Sequence, residues 1–324
     1  MNVLVVGGAG YIGSHMVACL AQHGAEVTVF DNLCAGHRDA VLAGELVVGD
    51  LADRTALEAL FGRTRFDAVI HFASFIQVGE SVVDPAKYYR NNVANTLNLL
   101  EAMCAAGVKQ LVFSSTAAIF GVPQADRIDE AHPQQPINPY GSSKLMLERM
   151  LEDFDRAYGL KSVCLRYFNA AGADPQGRLG ERHEPETHLI PLVLQAAAGR
   201  REALTIHGDD YPTADGTCIR DYIHVADLSE AHWLALQHLQ AGKGSARFNL
   251  GNGQGFSVKQ VIDVAERVTG RRVPLVYGPR RAGDPPVLVA DSGRAKAELG
   301  WQPLFAALET IIAHAWQWEC RRGH

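Results

Sequence analysis

The sequence lacks any run of the ~18 apolar residues that a membrane-crossing helix requires. It also lacks a Lys/Arg stripe: 30 basic and 36 acidic residues are scattered along the chain and leave a formal net charge of −6. That excludes the electrostatic footprint of a nucleic-acid binder, so any bound phosphate must be gripped locally, by backbone amides and single arginines. No C-x-x-C pair occurs among the six widely spaced cysteines, Cys19, Cys34, Cys104, Cys164, Cys218 and Cys320. This excludes a dense disulfide framework and implies packed, reduced thiols in a cytoplasmic protein. No internal repeat and no low-complexity linker divides the chain. No signal peptide is expected either, because "NVLVVGGAGYIG" already reads as a strand and its turn.

What is present is a strict alternation. Short β-branched runs recur at Val3–Val6, Glu26–Phe30, Leu46–Val48, Ala68–Phe72, Gln110–Ser114 and Ser162–Leu165. Helical spacing fills residues 13–22, 55–61, 91–106 and 142–157 between them. Alternation at this pitch predicts an α/β fold, a doubly wound parallel sheet of Rossmann type covered on both faces. After about residue 168 the texture changes to a long Gly/Pro-rich loop, "NAAGADPQGRLGERHEPETH". Helical patterns over 189–199, 226–240 and 257–269 then mix with short strands. The predicted division is a dinucleotide-binding domain over 1–168, rejoined by a return segment near 219–252. Residues 169–324 form a smaller mixed α/β substrate-binding domain.

"VLVVGGAGYIG" spaces Gly7, Gly10 and Gly13 as G-x-x-G-x-x-G between a strand and a helix. Without Cβ atoms the turn tightens and its amides approach a pyrophosphate at the helix N-terminus. The next strand, "EVTVF", ends at Asp31, whose carboxylate suits both hydroxyls of an adenosine ribose and repels a 2′-phosphate. NAD is favoured over NADP. "VVGDL" ends the third strand, with Asp50 and Leu51 placed toward the adenine. Stripped of this context, the segment is an ordinary tight turn followed by an exposed acid.

"NPYGSSK" (138–144) opens a later helix. Asn138 is a good N-cap and Pro139 suits the first helical position, which puts Tyr140 and Lys144 one turn apart on one face. A tyrosine with a pKa of about 10 is a poor base at neutral pH. A close ammonium and the positive helix end are expected to push it down. By itself Y-x-x-x-K is also an incidental surface pair. The strand "QLVFSS", however, ends at Ser114, Ser115 and Thr116, and hydroxyls at such a strand end are expected to project into the ligand crevice. Hydroxyl, phenol and ammonium beside a nicotinamide make an alcohol-oxidising constellation.

The fingerprint, the Ser115-Thr116 strand end and Tyr140-x-x-x-Lys144 together resemble the extended short-chain dehydrogenase/reductase family. Longer strings are similar from end to end to its UDP-hexose 4-epimerase branch: "GGAGYIGSH", "DNLCAGHR", "VIHFAS", "YYRNNVANTLNLLEAM", "LRYFNAAGADPQGRLGE", "DYPTADGTCIRDYIHVADL" and "RRAGDPP". The resemblance implies bound NAD and a UDP-hexose substrate, with UDP-glucose and UDP-galactose interconverted through a transient 4-keto sugar. It implies Tyr140 as proton acceptor and donor, Thr116 as partner of the reacting oxygen, and Lys144 as the group that tunes Tyr140 and holds the nicotinamide ribose, with Tyr140 and Lys144 both among the cofactor contacts. Tyr11, Ile12, Asn32, Phe72, Ala73 and Asn91 join the cofactor contacts by the same match, as do Ser114 and Tyr167. Asn169, His188, Leu189, Arg220, Tyr222, Arg281 and Asp284 would hold UDP and its sugar, and His207 would stack near uracil. Arg220 and Arg281 also read as ordinary surface ion pairs. A homodimer through the helices near 91–106 and 142–157 is implied as well.

Some positions depart from the family pattern. Ile76 stands where a lysine reaches the cofactor phosphates in some members, which predicts looser NAD retention. Leu288 stands where a bulky tyrosine restricts some members to hexoses without an N-acetyl group, so UDP-N-acetylhexosamines and UDP-pentoses stay open as substrates. Dehydratases and decarboxylases on this scaffold carry an acid just after the Ser/Thr, but Ala117 and Ala118 follow here, which favours epimerisation. A non-catalytic NAD-binding regulator is the alternative from another class; such proteins tend to lose the tyrosine or the lysine. "RHEPETH" offers His183, Glu184, Glu186 and His188, but H-E-x-x-x-H is not a helical metal spacing and Pro185 breaks the helix, so no metal is expected.

Overall fold

The computed structural model describes residues 1–281 and 284–322. Ala282 and Gly283, inside the "RRAGDPP" string, lie outside the described residues. In chain order the strands are β1 (Asn2–Val6), β2 (Glu26–Asp31), β3 (Glu45–Val48), β4 (Ala68–His71), β5 (Gln110–Thr116), β6 (Lys161–Tyr167), β7 (Asn169–Ala171), β8 (Leu204–His207), β9 (Ile219–His224), β10 (Ala246–Leu250), β11 (Gly255–Ser257), β12 (Leu275–Gly278) and β13 (Val287–Leu288). Seven of them form one sheet in the order β10-β6-β5-β4-β1-β2-β3. Every pairing in it is parallel.

The sheet is built from strands buried on both faces. Val3 and Val5 of β1 enter one apolar cluster, whereas Leu4 and Val6 enter the other. That is the period of two that a strand imposes. All four are essentially inaccessible, and each such side chain contributes about 1.5–3 kcal/mol on burial. The helices Tyr11–Gln22 and Val225–Gln240 cover the first face; Arg54–Arg63, Asn95–Ala105 and Pro139–Tyr158 cover the second. Strand order reverses between β1 and β4, and a crevice opens there beyond the strands' C-terminal ends.

The segment 219–252 is shared between two sheets. β9 lies in a small four-stranded sheet with β7, β11 and β13. The helix after it and β10 cross back to the large sheet, where β10 extends the edge beside β6. β8 and β12 form a two-stranded ribbon. Around these elements a third apolar cluster gathers Ile190 and Leu194, Val261 and Ile262, and Ile311 and Ile312 from three helices. No helix among the described residues is long and apolar enough to cross a membrane.

One buried ion pair fastens β5, β6 and the Pro139–Tyr158 helix together. Arg166 Nη2 donates to Glu148 Oε2 at 2.6 Å and Arg166 Nε to Glu148 Oε1 at 3.0 Å. Ser115 Oγ donates to the same Oε1 at 2.5 Å. The two charged side chains are 0% and 1% exposed. Removing Arg166 leaves the Glu148 carboxylate with only the half-exposed Arg247, whose Nε lies 3.3 Å from Oε2, in a medium that solvates the charge poorly. Arg166→Met is therefore expected to lower the unfolding free energy by about 3–5 kcal/mol. Urea unfolding at neutral pH measures this, and a loss of less than about 1 kcal/mol, the scale of a surface pair, would contradict it.

Candidate functional site

The glycine turn is shaped by close backbone approach. Gly7 has φ of +79°, and a Cβ there would sit 2.5 Å from Ala73 N; one on Gly13 would sit 2.1 Å from Gly7 O. No side chain fits either place. Gly10 differs, since a Cβ there would meet only Gly7 O at 3.5 Å. Gly10 is the N-cap of the Tyr11–Gln22 helix and offers no side-chain cap, which leaves the amides of Tyr11, Ile12 and Gly13 directed at the crevice. This cradle fits a dinucleotide pyrophosphate. Asp31, at the end of β2, is held by Ala9 N to Oδ2 at 2.9 Å and Leu33 N to Oδ1 at 2.8 Å. Asn32 Nδ2 donates to Asp50 Oδ2 at 2.7 Å, so these two candidates are neighbours, with Leu51 buried behind them.

Phe72 and Ala73 follow β4, and both amides donate to Val6 O. The Phe72 ring lies 4.8 Å from His232, whose imidazole is held near pKa 4 by burial. Asn91 falls in a short π-helical segment, Tyr89–Ala94, and donates to Asn92 Oδ1 at 3.0 Å. Asn92 does the larger structural job. Its side chain accepts from Phe75 N at 2.9 Å and donates to Phe75 O at 3.1 Å and Ser143 Oγ at 3.1 Å, which ties the loop after β4 to the Pro139–Tyr158 helix.

That helix begins as its sequence implies. Asn138 Oδ1 accepts from Gly141 N at 2.8 Å and Pro139 occupies the first turn. Tyr140 and Lys144 then project from one face toward the end of β5. The strand-end hydroxyls are not equivalent. Ser114 meets the Tyr167 hydroxyl and Thr116 stands beside Tyr140, whereas Ser115, one step along the strand, points to the opposite face and Glu148. The expectation that all three face the crevice fails for Ser115 for that reason.

The electrostatics also depart from expectation. Lys144 Nζ donates to Ser74 Oγ and Ser114 O, each at 2.8 Å. Burial is the main influence on it and pulls its pKa down to about 7, against the upward pull of Glu148. Burial likewise raises the Tyr140 phenol above its usual value, with only the Thr116 hydroxyl working the other way. The protein by itself therefore keeps Tyr140 as a neutral phenol instead of depressing it.

The substrate-side candidates form a second group. Arg220 Nη1 donates to the carbonyls of Ile219 and Pro285 at 2.9 Å, and Nη2 pairs with Asp284 Oδ1 at 3.1 Å. Burial and the nearby Arg281 lower the His207 pKa, and Asp284 pulls it up, so these four residues share one neighbourhood. Asn169 Nδ2 donates to Asp221 O at 2.9 Å, across the β7–β9 pairing. Tyr222 is buried and packs in the third apolar cluster, so it supports β9 from within instead of standing open to a ligand. Leu288 pairs with Arg220 in register and packs against the small cluster of Ala117, Ile119, Phe120 and Leu145. That places it just past Thr116.

The long loop ends in a group of its own. His188 caps the Leu189–Ala197 helix, and its Nδ1 lies 2.5 Å from Glu181 Oε1. Burial opposes charge on His183, but Glu181 and Glu186 outweigh it and push the imidazole up to about 10.

Residues 3–251 match the NAD dependent epimerase/dehydratase family. The chain belongs to that family. A UDP-glucose 4-epimerase of Halalkalibacterium halodurans is 53% identical over 324 residues, all of this chain and 97% of the relative. The solved UDP-glucose 4-epimerase from Brucella ovis in complex with NAD is 52% identical, with a TM-score of 0.95 over 97% of each chain. One from Bifidobacterium longum in complex with NAD+ and UDP is 37% identical, with a TM-score of 0.95 over 100% of this chain and 99% of that one.

Several residues of this epimerase/dehydratase family member escaped the sequence reading. Ser74, Asn92, Ser143 and Arg166 lie inside the quoted strings "VIHFAS", "YYRNNVANTLNLLEAM", "NPYGSSK" and "LRYFNAAGADPQGRLGE", but nothing in their residue type or spacing singles them out. Glu148 carries one: it lies four residues after Lys144 on the same helix face.

The buried Lys144 makes a pH prediction. Its pKa is about 7 when folded and about 10.4 when unfolded. Between those values the unfolded chain binds a proton that the folded chain does not, so this group's contribution to stability rises with pH. Without added nucleotide, the stability of the wild type relative to Lys144→Met is expected to increase between about pH 7 and pH 9.5. Urea midpoints at the two pH values measure it, and an unchanged difference would refute it.

Proposed function

We propose that the chain is an NAD-dependent isomerase that interconverts UDP-glucose and UDP-galactose by inversion at C4. The observation that carries this reading is the convergence of Thr116, Tyr140 and Lys144 at the end of β5, across the crevice from the glycine turn. A C4 hydrogen has no adjacent carbonyl and is not acidic, so inversion requires oxidation followed by reduction. NAD, when bound, supplies the hydride acceptor and donor together with a positively charged ring. Gly7, Gly10 and Gly13 with the helix amides would hold its pyrophosphate, and Asp31 its adenosine ribose.

The chain's own residues manage the proton. Tyr140 acts in its phenolate form, which the protein alone disfavours and the positive charge of the bound cofactor would favour: it takes the proton from the 4-hydroxyl as the carbonyl forms and returns it once the 4-keto sugar has presented its other face. Thr116 hydrogen-bonds the reacting oxygen. Lys144, with a pKa near 7 and one helical turn from Tyr140, can hold or release a proton at neutral pH. Ala117 and Ala118 give no acid or base for a second proton transfer, so elimination has no catalyst after oxidation. Arg220 and Arg281 suit the UDP pyrophosphate, because a guanidinium is always charged and presents a fixed donor fork.

We further take residues 1–168, with the helix and strand that return to the large sheet, as the cofactor-binding unit. The rest is the UDP-sugar unit. A homodimer through the Asn95–Ala105 and Pro139–Tyr158 helices is supported by the exposed Leu97 and Met146. A cytoplasmic setting is supported by six free cysteines.

Tyr140→Phe is expected to lower turnover by about 10²–10⁴-fold while NAD and UDP still bind. Steady-state assays and titration calorimetry test this, and wild-type turnover would remove Tyr140 from the mechanism. Leu288 favours a second activity on N-acetylated sugars, since a leucine beside Thr116 leaves space. Leu288→Tyr is expected to depress turnover of UDP-N-acetylglucosamine far more than that of UDP-glucose. Equal effects on both would exclude Leu288 as the selector.

A further inference from the structure

The helical spacing rule that argues against a metal in "RHEPETH" does not apply to the folded chain. Residues 181–188 are not helical, and Glu181, outside that string, joins the group. We propose that Glu181, His183, Glu186 and His188 bind one divalent transition-metal ion, zinc above all, which fixes the end of the 172–188 loop beside the dinucleotide helix.

The donor atoms are already assembled. His183 Nδ1 lies 3.1 Å from Glu181 Oε1 and 3.8 Å from Glu186 Oε1; His188 Nδ1 lies 2.5 Å and 3.6 Å from the same two atoms. All four donors fall within 4.8 Å of one another. Four ligands about 2.0–2.1 Å from a tetrahedral zinc are separated from each other by about 3.3 Å, in the middle of these distances. The imidazole planes cross at 65°, so the two nitrogens approach the centre from different directions.

Proton sharing does not account for the whole group. The Glu186 side chain is 6% exposed, and its Oε2 has no hydrogen-bond partner. His183 Nδ1 is also buried without a partner, although Glu181 Oε1 is only 3.1 Å away. The in-plane direction of that nitrogen is thus off the line to the oxygen. A bound cation would displace the protons that the imidazoles share with the carboxylates, and the resulting two carboxylates and two neutral imidazoles carry two negative charges, which a divalent cation balances. Nitrogen donors favour zinc, cobalt or nickel over magnesium and calcium, which take oxygen ligands.

The surroundings fit a clasp. Thr187 N and His188 N donate to Glu186 Oε1 at 2.8 and 2.9 Å, which orients that carboxylate as outer partners orient metal ligands. Trp318 Nε1 donates to the Glu181 carbonyl at 3.0 Å. The His183 ring stands edge-on to Tyr11, the first residue of the dinucleotide helix, and Tyr11 donates to Gly172 O at 2.7 Å. Arg182, between two ligands, pairs with Asp39 at 2.5 Å. All four ligands lie within residues 181–188, so an ion here pins the end of the loop and the start of the Leu189–Ala197 helix where they pack beside Tyr11.

The test uses the full-length holoenzyme after chelator treatment, titrated with cobalt(II) alone and followed by visible absorption and thermal unfolding. One cobalt per chain with the intense bands of four-coordinate geometry, a raised Tm and displacement by zinc are expected. His183→Ala and Glu186→Gln are expected to abolish the bands or weaken binding by roughly tenfold or more. Cys19→Ser, which removes a donor from the separate Cys19, His23 and Glu230 group, should leave them intact. Absence of the four-coordinate bands with an unchanged Tm would overturn the proposal, as would bands that survive His183→Ala and vanish in Cys19→Ser. If His183→Ala does not fold, Glu186→Gln and the wild-type Tm with and without zinc decide between the two outcomes.

Discussion

The arrangement of the candidate site depends on the buried Glu148–Arg166 pair. Each member of that network is a sequence neighbour of a residue at the site. Ser115 separates Ser114 from Thr116, Arg166 precedes Tyr167, and Glu148 lies one helical turn beyond Lys144. Charge that must be paired in the interior fixes β5, β6 and the long helix in one relative position. Thr116, Tyr167, Tyr140 and Lys144 inherit that position. The pair is thus a positional constraint more than a source of net stability.

Burial sets the electrical character of the site. It raises Tyr140 and Tyr167 and lowers Lys144, so each group is drawn toward its neutral form. A reaction that returns every proton and hydride it takes benefits from such poise, because neither direction has to climb out of a deep ionised state. The crevice leaves the balance to be tipped by whatever charge a bound cofactor brings.

The loop after β7 ties the large sheet to the elements that follow it in the chain. Tyr11 reaches Gly172, His37 reaches Arg182 and Asp39 pairs with Arg182. These contacts run from the glycine-turn side of the large sheet to the loop that leads into the Leu189–Ala197 helix. The loop is long because it spans that distance, and its ligand-like cluster sits where the span is anchored.

Much of this was legible in the chain. The alternation of β-branched runs with helical spacing, the three glycines and the acid at the end of β2 are local signals with local physical causes. Together they specify the parallel sheet, its crevice and the dinucleotide cradle. "NPYGSSK" likewise determined a capped helix start with Tyr140 and Lys144 on one face. Tertiary structure alone decided where β10 pairs, which strand-end hydroxyl turns away, and that Lys144 answers to Ser74 and the Ser114 carbonyl. It also decided that Tyr140 is raised, because a pKa depends on depth of burial, and burial belongs to no single segment. The helix spacing of "RHEPETH" spoke against a metal, whereas residues 181–188 fold as an irregular loop that brings the donor atoms of Glu181, His183, Glu186 and His188 within 4.8 Å of one another. Sequence distance governs what one element can present; only packing governs what several elements bring together.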